Sequence, residues 1–153
     1  MRSHAGEVAF PGGKIDRVDQ SLIDTVLRET EEEIGLKAHS IELLGQIDSM
    51  QSRQGVKVQP IVAWVDSPAE FTLCPEELEA IFQVPISLFY DKTAITMHSF
   101  EMNNHLVEMP AFRFQEFTIW GLTAAMIVST LNQVNEEQIK QPEIKFKAIE
   151  KSE

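Results

Sequence analysis

The chain has one cysteine, Cys74, among its 153 residues, so no disulfide can form within it. That excludes a small secreted scaffold stapled by disulfides, and it makes a reducing compartment, the cytoplasm, the expected location. Glycine and proline are scarce at seven each, which excludes collagen-like and linker-like chains. Positive charge is also scarce: 13 lysines and arginines stand against 24 acidic residues, a formal net charge of −11. No basic stripe suited to a nucleic-acid backbone occurs, so no nucleic-acid partner is expected. The longest apolar run, Ile119–Val128, is broken by Gly121 and Thr123 and is far shorter than the ~20 residues of a membrane span. The first residues carry no apolar core of a signal peptide. Neither a membrane partner nor a targeting segment is expected.

What is present suits a globular domain with its own core: 43% of the residues are hydrophobic and 24% charged. A chain this acidic can act on an acidic substrate only with local positive charge, and a bound divalent cation is a ready source of it.

Punctuation along the chain predicts its elements. Glu7–Phe10 alternates polar and apolar residues like a strand and stops at Pro11-Gly12-Gly13. A helix is predicted over Ser21–Ile34, with Ser21 as N-cap, Asp24 closing a capping-box-like start and Gly35 just past the end. Strands are predicted at Ile41–Ile47 and Val56–Val65, the second bulged or at an edge because Pro60 lies inside it. A short helix should follow from Pro75 to Val84. Then come strands at Thr93–Phe100, Leu106–Val107 and Phe112–Ile119, and a final apolar helix over Gly121–Leu131. Residues 135–153 read as a charged, solvated tail with weak strand character over Ile144–Ile149. The expected fold class is α/β (α+β), a sandwich of helices and a mixed sheet, with one domain over residues 1–134.

The predicted first helix carries the chemistry. At 3.6 residues per turn, Leu22, Ile23, Val26, Leu27 and Ile34 form one inward stripe. Glu29, Glu32 and Glu33 stand at i, i+3 and i+4 along one edge of that stripe, while Glu31 points away. Like charges at this spacing repel. Their crowding is explained if they hold a hard cation such as Mg²⁺, which prefers oxygen ligands and leaves coordination sites for phosphates; the alternative is a solvated acidic face. Gly12 and Gly13 allow close backbone approach, and Arg28 can hold a glutamate through a charged hydrogen bond.

Arg28-Glu29-Thr30-Glu31-Glu32-Glu33-Ile34-Gly35-Leu36 resembles the second half of the Nudix box, the signature of hydrolases acting on nucleoside diphosphates linked to another group. Gly13 and Asp19 match the glycine and the acidic residue of its first half, with Asp for the usual Glu and one extra residue before Arg28. Thr30 replaces an aliphatic residue. These departures are similar to those of the coenzyme A-directed branch. Arg2-x-x-x-Gly6-x-x-x-Phe10-Pro11-Gly12-Gly13 resembles the latter half of that branch's accompanying motif, and Ile119-Trp120-Gly121-Leu122-Thr123-Ala124 resembles the start of its final helix.

The resemblance implies a Nudix fold and hydrolysis of coenzyme A, or a derivative, to 4′-phosphopantetheine and adenosine 3′,5′-bisphosphate. A Nudix pyrophosphatase for ADP-ribose or NADH, or a catalytically silent Nudix protein, is the alternative. It implies Mg²⁺ or Mn²⁺ held by Glu29 and Glu33, with Glu32 as a third ligand and Arg28 orienting a glutamate. Arg2, Gly6, Phe10, Pro11, Gly12 and Gly13 would meet or shape the substrate phosphates. The proton acceptor would be Glu32 or a glutamate outside the box, with Glu77 in a position to lie near the site. His4 and Arg53 are weaker candidates for phosphate contact and Trp120 for an adenine platform; each is read first as surface or core. A homodimer is possible. The opening of the accompanying motif, and the strands that precede it in the family, would fall before Met1. The expectation is therefore a domain shortened at its N-terminus, with apolar sheet residues left uncovered.

Overall fold

The computed structural model describes residues 6–66, 68–135, 139–140 and 145–148. The chain forms two compact units, one of Ala9–Gln83 and one of the segment ending at Val8 together with the chain from Val84 onward.

In the unit of residues 9–83, helix α1 (Leu22–Ile34) begins where the sequence places it. The Ser21 side chain accepts the Asp24 N–H at 3.2 Å, and the Asp24 carboxylate accepts the Gln20 N–H at 3.0 Å. Two backbone donors at the helix start are thereby satisfied. Gly35 ends the helix in the left-handed region (φ 71°) and donates its N–H to the Glu31 carbonyl at 2.9 Å. Glycine is doubly required there, because an added Cβ would also lie 2.8 Å from the Thr72 Cβ. Antiparallel strands β1 (Ile41–Gln46) and β4 (Ile61–Val65) pair, with a bulge between Leu43 and Gly45. The short strands β2 (Met50–Gln51) and β3 (Lys57–Val58) form a separate ribbon. The predicted strand Val56–Val65 thus divides into β3 and β4 at Pro60, which cannot donate to a ladder.

The inward stripe of α1 differs from expectation. Leu22 is exposed, and the buried side chains are Thr25 and Thr30. Both hydroxyls donate: Thr25 to the Asp19 carboxylate at 3.0 Å, Thr30 to the Val26 carbonyl at 2.7 Å. Burial of a hydroxyl is tolerated when it is satisfied in this way. Leu36 and Ile47 are the buried apolar residues of this unit, whereas Val18, Leu44 and Trp64 stay 74%, 58% and 57% exposed.

In the second unit, β5 (Ile95–Met102), β6 (His105–Phe114) and β7 (Phe117–Trp120) form an antiparallel meander. Asn103 and Asn104, both left-handed (φ 50° and 60°), make the first tight turn. Strands predicted separately at Leu106–Val107 and Phe112–Ile119 are therefore corrected: β6 runs unbroken through the first, and the second divides at a turn where Gln115 is left-handed. Pro110 fits inside β6 because it falls between the residues paired to β7 and those paired to β8 (Lys145–Ala148). Helix α2 (Gly121–Val134) packs Ala124, Val128 and Leu131 onto Phe89, Phe112 and Ile119, with Phe89 and Phe112 edge to face at 5.0 Å. Within the stretch read as a solvated tail, Ile139 is buried in this core and β8 pairs with β6.

Three further expectations fail. Glu7–Phe10 forms no strand; Val8 instead packs on the core of its unit and accepts a hydrogen bond from Thr123 Oγ1 at 2.9 Å. The helix expected from Pro75 to Val84 is a single turn, in which the Glu77 and Leu78 N–H groups share the Cys74 carbonyl. Among the described residues every strand pairing is antiparallel, where a mixed sheet was expected. No helix among them is long and apolar enough to cross a membrane.

Candidate active site

The site is built on α1 and the loop before it. In this loop Gly12 and Gly13 run against the acidic face of the helix. The Gly12 N–H donates to Glu33 Oε2 at 3.2 Å. A Cβ on Gly13 would collide with the Glu29 carboxylate and push it aside, so glycine is what lets the carboxylate keep this position. Each glycine of the pair therefore meets one glutamate of the helix. Phe10, at the start of this loop, is 56% exposed, and Pro11 is half-buried.

Arg28 is the hub. Its Nε and Nη2 donate to the two oxygens of Asp19, both at 2.9 Å, in a bidentate pair. Nη1 donates to Glu29 Oε1 at 3.1 Å and Glu32 Oε2 at 3.2 Å, and Nη2 also reaches the Lys14 carbonyl at 3.3 Å. Asp19 is held in turn by the Thr25 hydroxyl at 3.0 Å and the Asp16 N–H at 2.8 Å, and its side chain is only 3% exposed. The Arg28 hydrogen bonds hold the Asp19 carboxyl well below the usual carboxylate range, and Asp19 pushes the Arg28 guanidinium further up.

The segment after β4 is strapped to the end of α1: the Thr72 N–H donates to the Ile34 carbonyl at 2.8 Å and the Cys74 N–H to the Glu33 carbonyl at 3.2 Å. The turn that follows brings Glu77 within electrostatic reach of Glu33. Burial pushes the Glu33 carboxyl up, and the like charges of Glu29, Glu77 and Glu32 push the same way, against the Gly12 N–H.

Of the residues singled out from the sequence, Arg28, Glu29, Glu32, Glu33, Gly12 and Gly13 come together, and Glu31 is exposed. Gly6 belongs to the other unit, where it is left-handed (φ 81°). Trp120 also belongs there, stacked on His98 with ring centroids 4.2 Å apart. Arg2 and His4 lie outside the described residues. Sequence reasoning missed the supports of the hub: Thr25, the Asp16 N–H, the Lys14 carbonyl, and the role of Asp19 in fixing Arg28. The Asp19 match to the box was the available signal; Thr25 left none.

A NUDIX domain model matches residues 1–101. The Nudix hydrolase NudL of Yersinia enterocolitica is 39% identical over 140 residues, which cover 88% of this chain and 69% of the relative. The NudL proteins of Yersinia pestis and Yersinia pseudotuberculosis are likewise 39% identical over 140 residues, covering 68% of each.

The chain belongs to the Nudix family. The Nudix fold expected from the box holds, and with it the enzyme class: a hydrolase of pyrophosphate bonds in nucleoside diphosphate derivatives. Nudix hydrolases generally use divalent cations such as Mg²⁺ or Mn²⁺. The acidic face suits such an ion, since its donors are all oxygens and its charge is in excess: among the described residues Glu29, Glu32 and Glu77 act on Glu33, and the guanidinium bonded to Glu29 and Glu32 is already paired to Asp19. The trio read from helical spacing is not, however, a ready-made cage. Among the described residues no three Asp, Glu, His or Cys side chains are grouped to hold a metal. Glu29 and Glu32 turn to Arg28, and Glu33 turns to Gly12.

Proposed function

We propose that this Nudix hydrolase cleaves the pyrophosphate of coenzyme A or its derivatives, releasing 4′-phosphopantetheine and adenosine 3′,5′-bisphosphate. The observation that supports the reading is the contact between the two motifs: Gly12 of the coenzyme A-type motif donates to Glu33 of the box, and Gly13, which both motifs share, lies against Glu29. Substrate phosphates drawn to the cation would then be met by the loop of Phe10 to Gly13.

Glu29, Glu32 and Glu33 would hold Mg²⁺ or Mn²⁺, which when bound neutralises developing charge on the pyrophosphate oxygens and acidifies a water. The chain's own residues do the rest. Arg28 orients Glu29 and Glu32 while Asp19 fixes Arg28. The Gly12 N–H orients Glu33. The proton of the attacking water would go to Glu32 or to Glu77, the carboxylate outside the box whose charge is felt at Glu33.

The test is a panel of coenzyme A, 3′-dephospho-coenzyme A, ADP-ribose and NADH with Mg²⁺ and Mn²⁺, products being separated by chromatography. Coenzyme A should give the highest kcat/KM. Loss of the 3′-phosphate should lower it about 10- to 100-fold, the worth of one charged hydrogen bond. Equal turnover of the two coenzyme A forms, or preference for ADP-ribose or NADH, would assign another nucleotide substrate. No turnover of any would favour a silent Nudix protein.

A further inference from the structure

Every N–H of the Arg28 guanidinium is committed: Nε and one Nη2 proton to Asp19, the other Nη2 proton to the Lys14 carbonyl, and the two Nη1 protons to Glu29 and Glu32. The two ends of the group sit in different surroundings. The Asp19 side is closed: that carboxylate is 3% exposed and also accepts from Thr25 and the Asp16 N–H. The Nη1 side opens to water at Glu32, whose side chain is 54% exposed, while the Glu29 side chain is 17% exposed. A charged hydrogen bond to a buried, further-anchored carboxylate outlasts one made in water. The guanidinium is thus fastened at one end and exchangeable at the other.

We propose that Arg28 is a resident counter-charge that the divalent cation displaces. The entering cation takes Glu29 and Glu32 from Nη1, while Asp19 keeps Nε and Nη2 in place. The inference rests on the cation reading given above and goes beyond it: Arg28 neutralises the carboxylates that the cation would take, and cation affinity is a competition against Arg28. Glu33 and the three carboxylates whose charge it feels, Glu29, Glu77 and Glu32, are tolerated together because one fork of Arg28 holds two of them.

The wild-type chain, labelled with ¹⁵N-arginine and titrated with Mg²⁺, tests the displacement by NMR. The Arg28 Nη1 protons should shift and exchange faster as Mg²⁺ saturates, with the Nε proton unchanged. Binding of Mn²⁺, measured by calorimetry, should be about tenfold tighter in Arg28→Lys, whose single ammonium cannot span Asp19 and both glutamates. The metal-free variant should melt lower than wild type and gain more from Mn²⁺. If wild type takes up neither ion, the cation reading fails and the inference with it. If wild type binds the ions but Nη1 does not respond, the inference alone is overturned, whether or not the lysine variant folds. A folded lysine variant that binds Mn²⁺ no more tightly than wild type also overturns it.

Discussion

Glu33 and Glu31 are two residues apart on the same helix and have opposite surroundings. Glu33 is half-buried, holds the Gly12 N–H and feels three neighbouring carboxylates; Glu31 is exposed. Glu33→Gln keeps the size and the Gly12 hydrogen bond but removes the charge, so kcat should fall by orders of magnitude with the circular dichroism spectrum unchanged. Glu31→Gln should leave kcat close to wild type. Equal behaviour of the two would reduce the acidic cluster to a solvated face. Gly13 gives a steric test at the same site. A methyl group there meets the Glu29 carboxylate, and an ångström of displacement near the reacting groups can cost about 100-fold in rate. Gly13→Ala should therefore lose most of its kcat, whereas Gly12→Ala, with nothing within 4 Å of the added carbon, should lose far less. Steady-state kinetics on both variants decides it.

At the scale of elements, the loop over residues 12–19 is latched to α1 through Asp19, Thr25 and Arg28. The latch has a pH signature. Folding holds the Asp19 carboxyl below its value in the unfolded chain, so the unfolded state binds the proton more readily. The stabilisation is fully present above the unfolded value of about 4 and is lost as the pH falls through the lower folded value. Urea midpoints should therefore drop between about pH 4 and pH 2. Asp19→Asn should be less stable than wild type at pH 7 and show a shallower decline in that window. A wild-type and variant pair with parallel acid limbs would mean that the latch carries no stability.

At the scale of the whole molecule, the two units bury different amounts of apolar surface. The unit containing β5, β6, β7 and α2 has a contiguous core in which Phe112 and Ile119 are almost wholly buried. The unit of residues 9–83 leaves Leu44 and Trp64 more than half exposed on a two-stranded ribbon, and such a ribbon is marginal by itself. Native-state hydrogen exchange should show it: amides of β6 should exchange at the slowest, global rate, and those of β1 and β4 much faster through local opening. Equal protection of β1 and β6 would show that a single cooperative unit spans both.

The sequence by itself determined what lies within a few residues. Ser21, Asp24 and Gly35 mark the ends of α1, and 3.6 residues per turn puts Glu29, Glu32 and Glu33 on one edge. The box and its neighbouring glycines named the family from the order of residues alone and pointed to the candidate site. What needed the tertiary structure was every pairing set by the path of the chain. Asp19 reaches Arg28 across nine positions and Gly12 reaches Glu33 across 21, with no helical spacing to announce either. The turn at Cys74–Leu78 brings Glu77 toward Glu33 only because Thr72 and Cys74 bond the end of α1. Glu7–Phe10 alternates like a strand yet forms none, since a strand exists only where another offers its ladder. Periodicity reports which face of an element is apolar; which carboxylate a guanidinium holds is decided by the fold, where burial removes water as the competing partner.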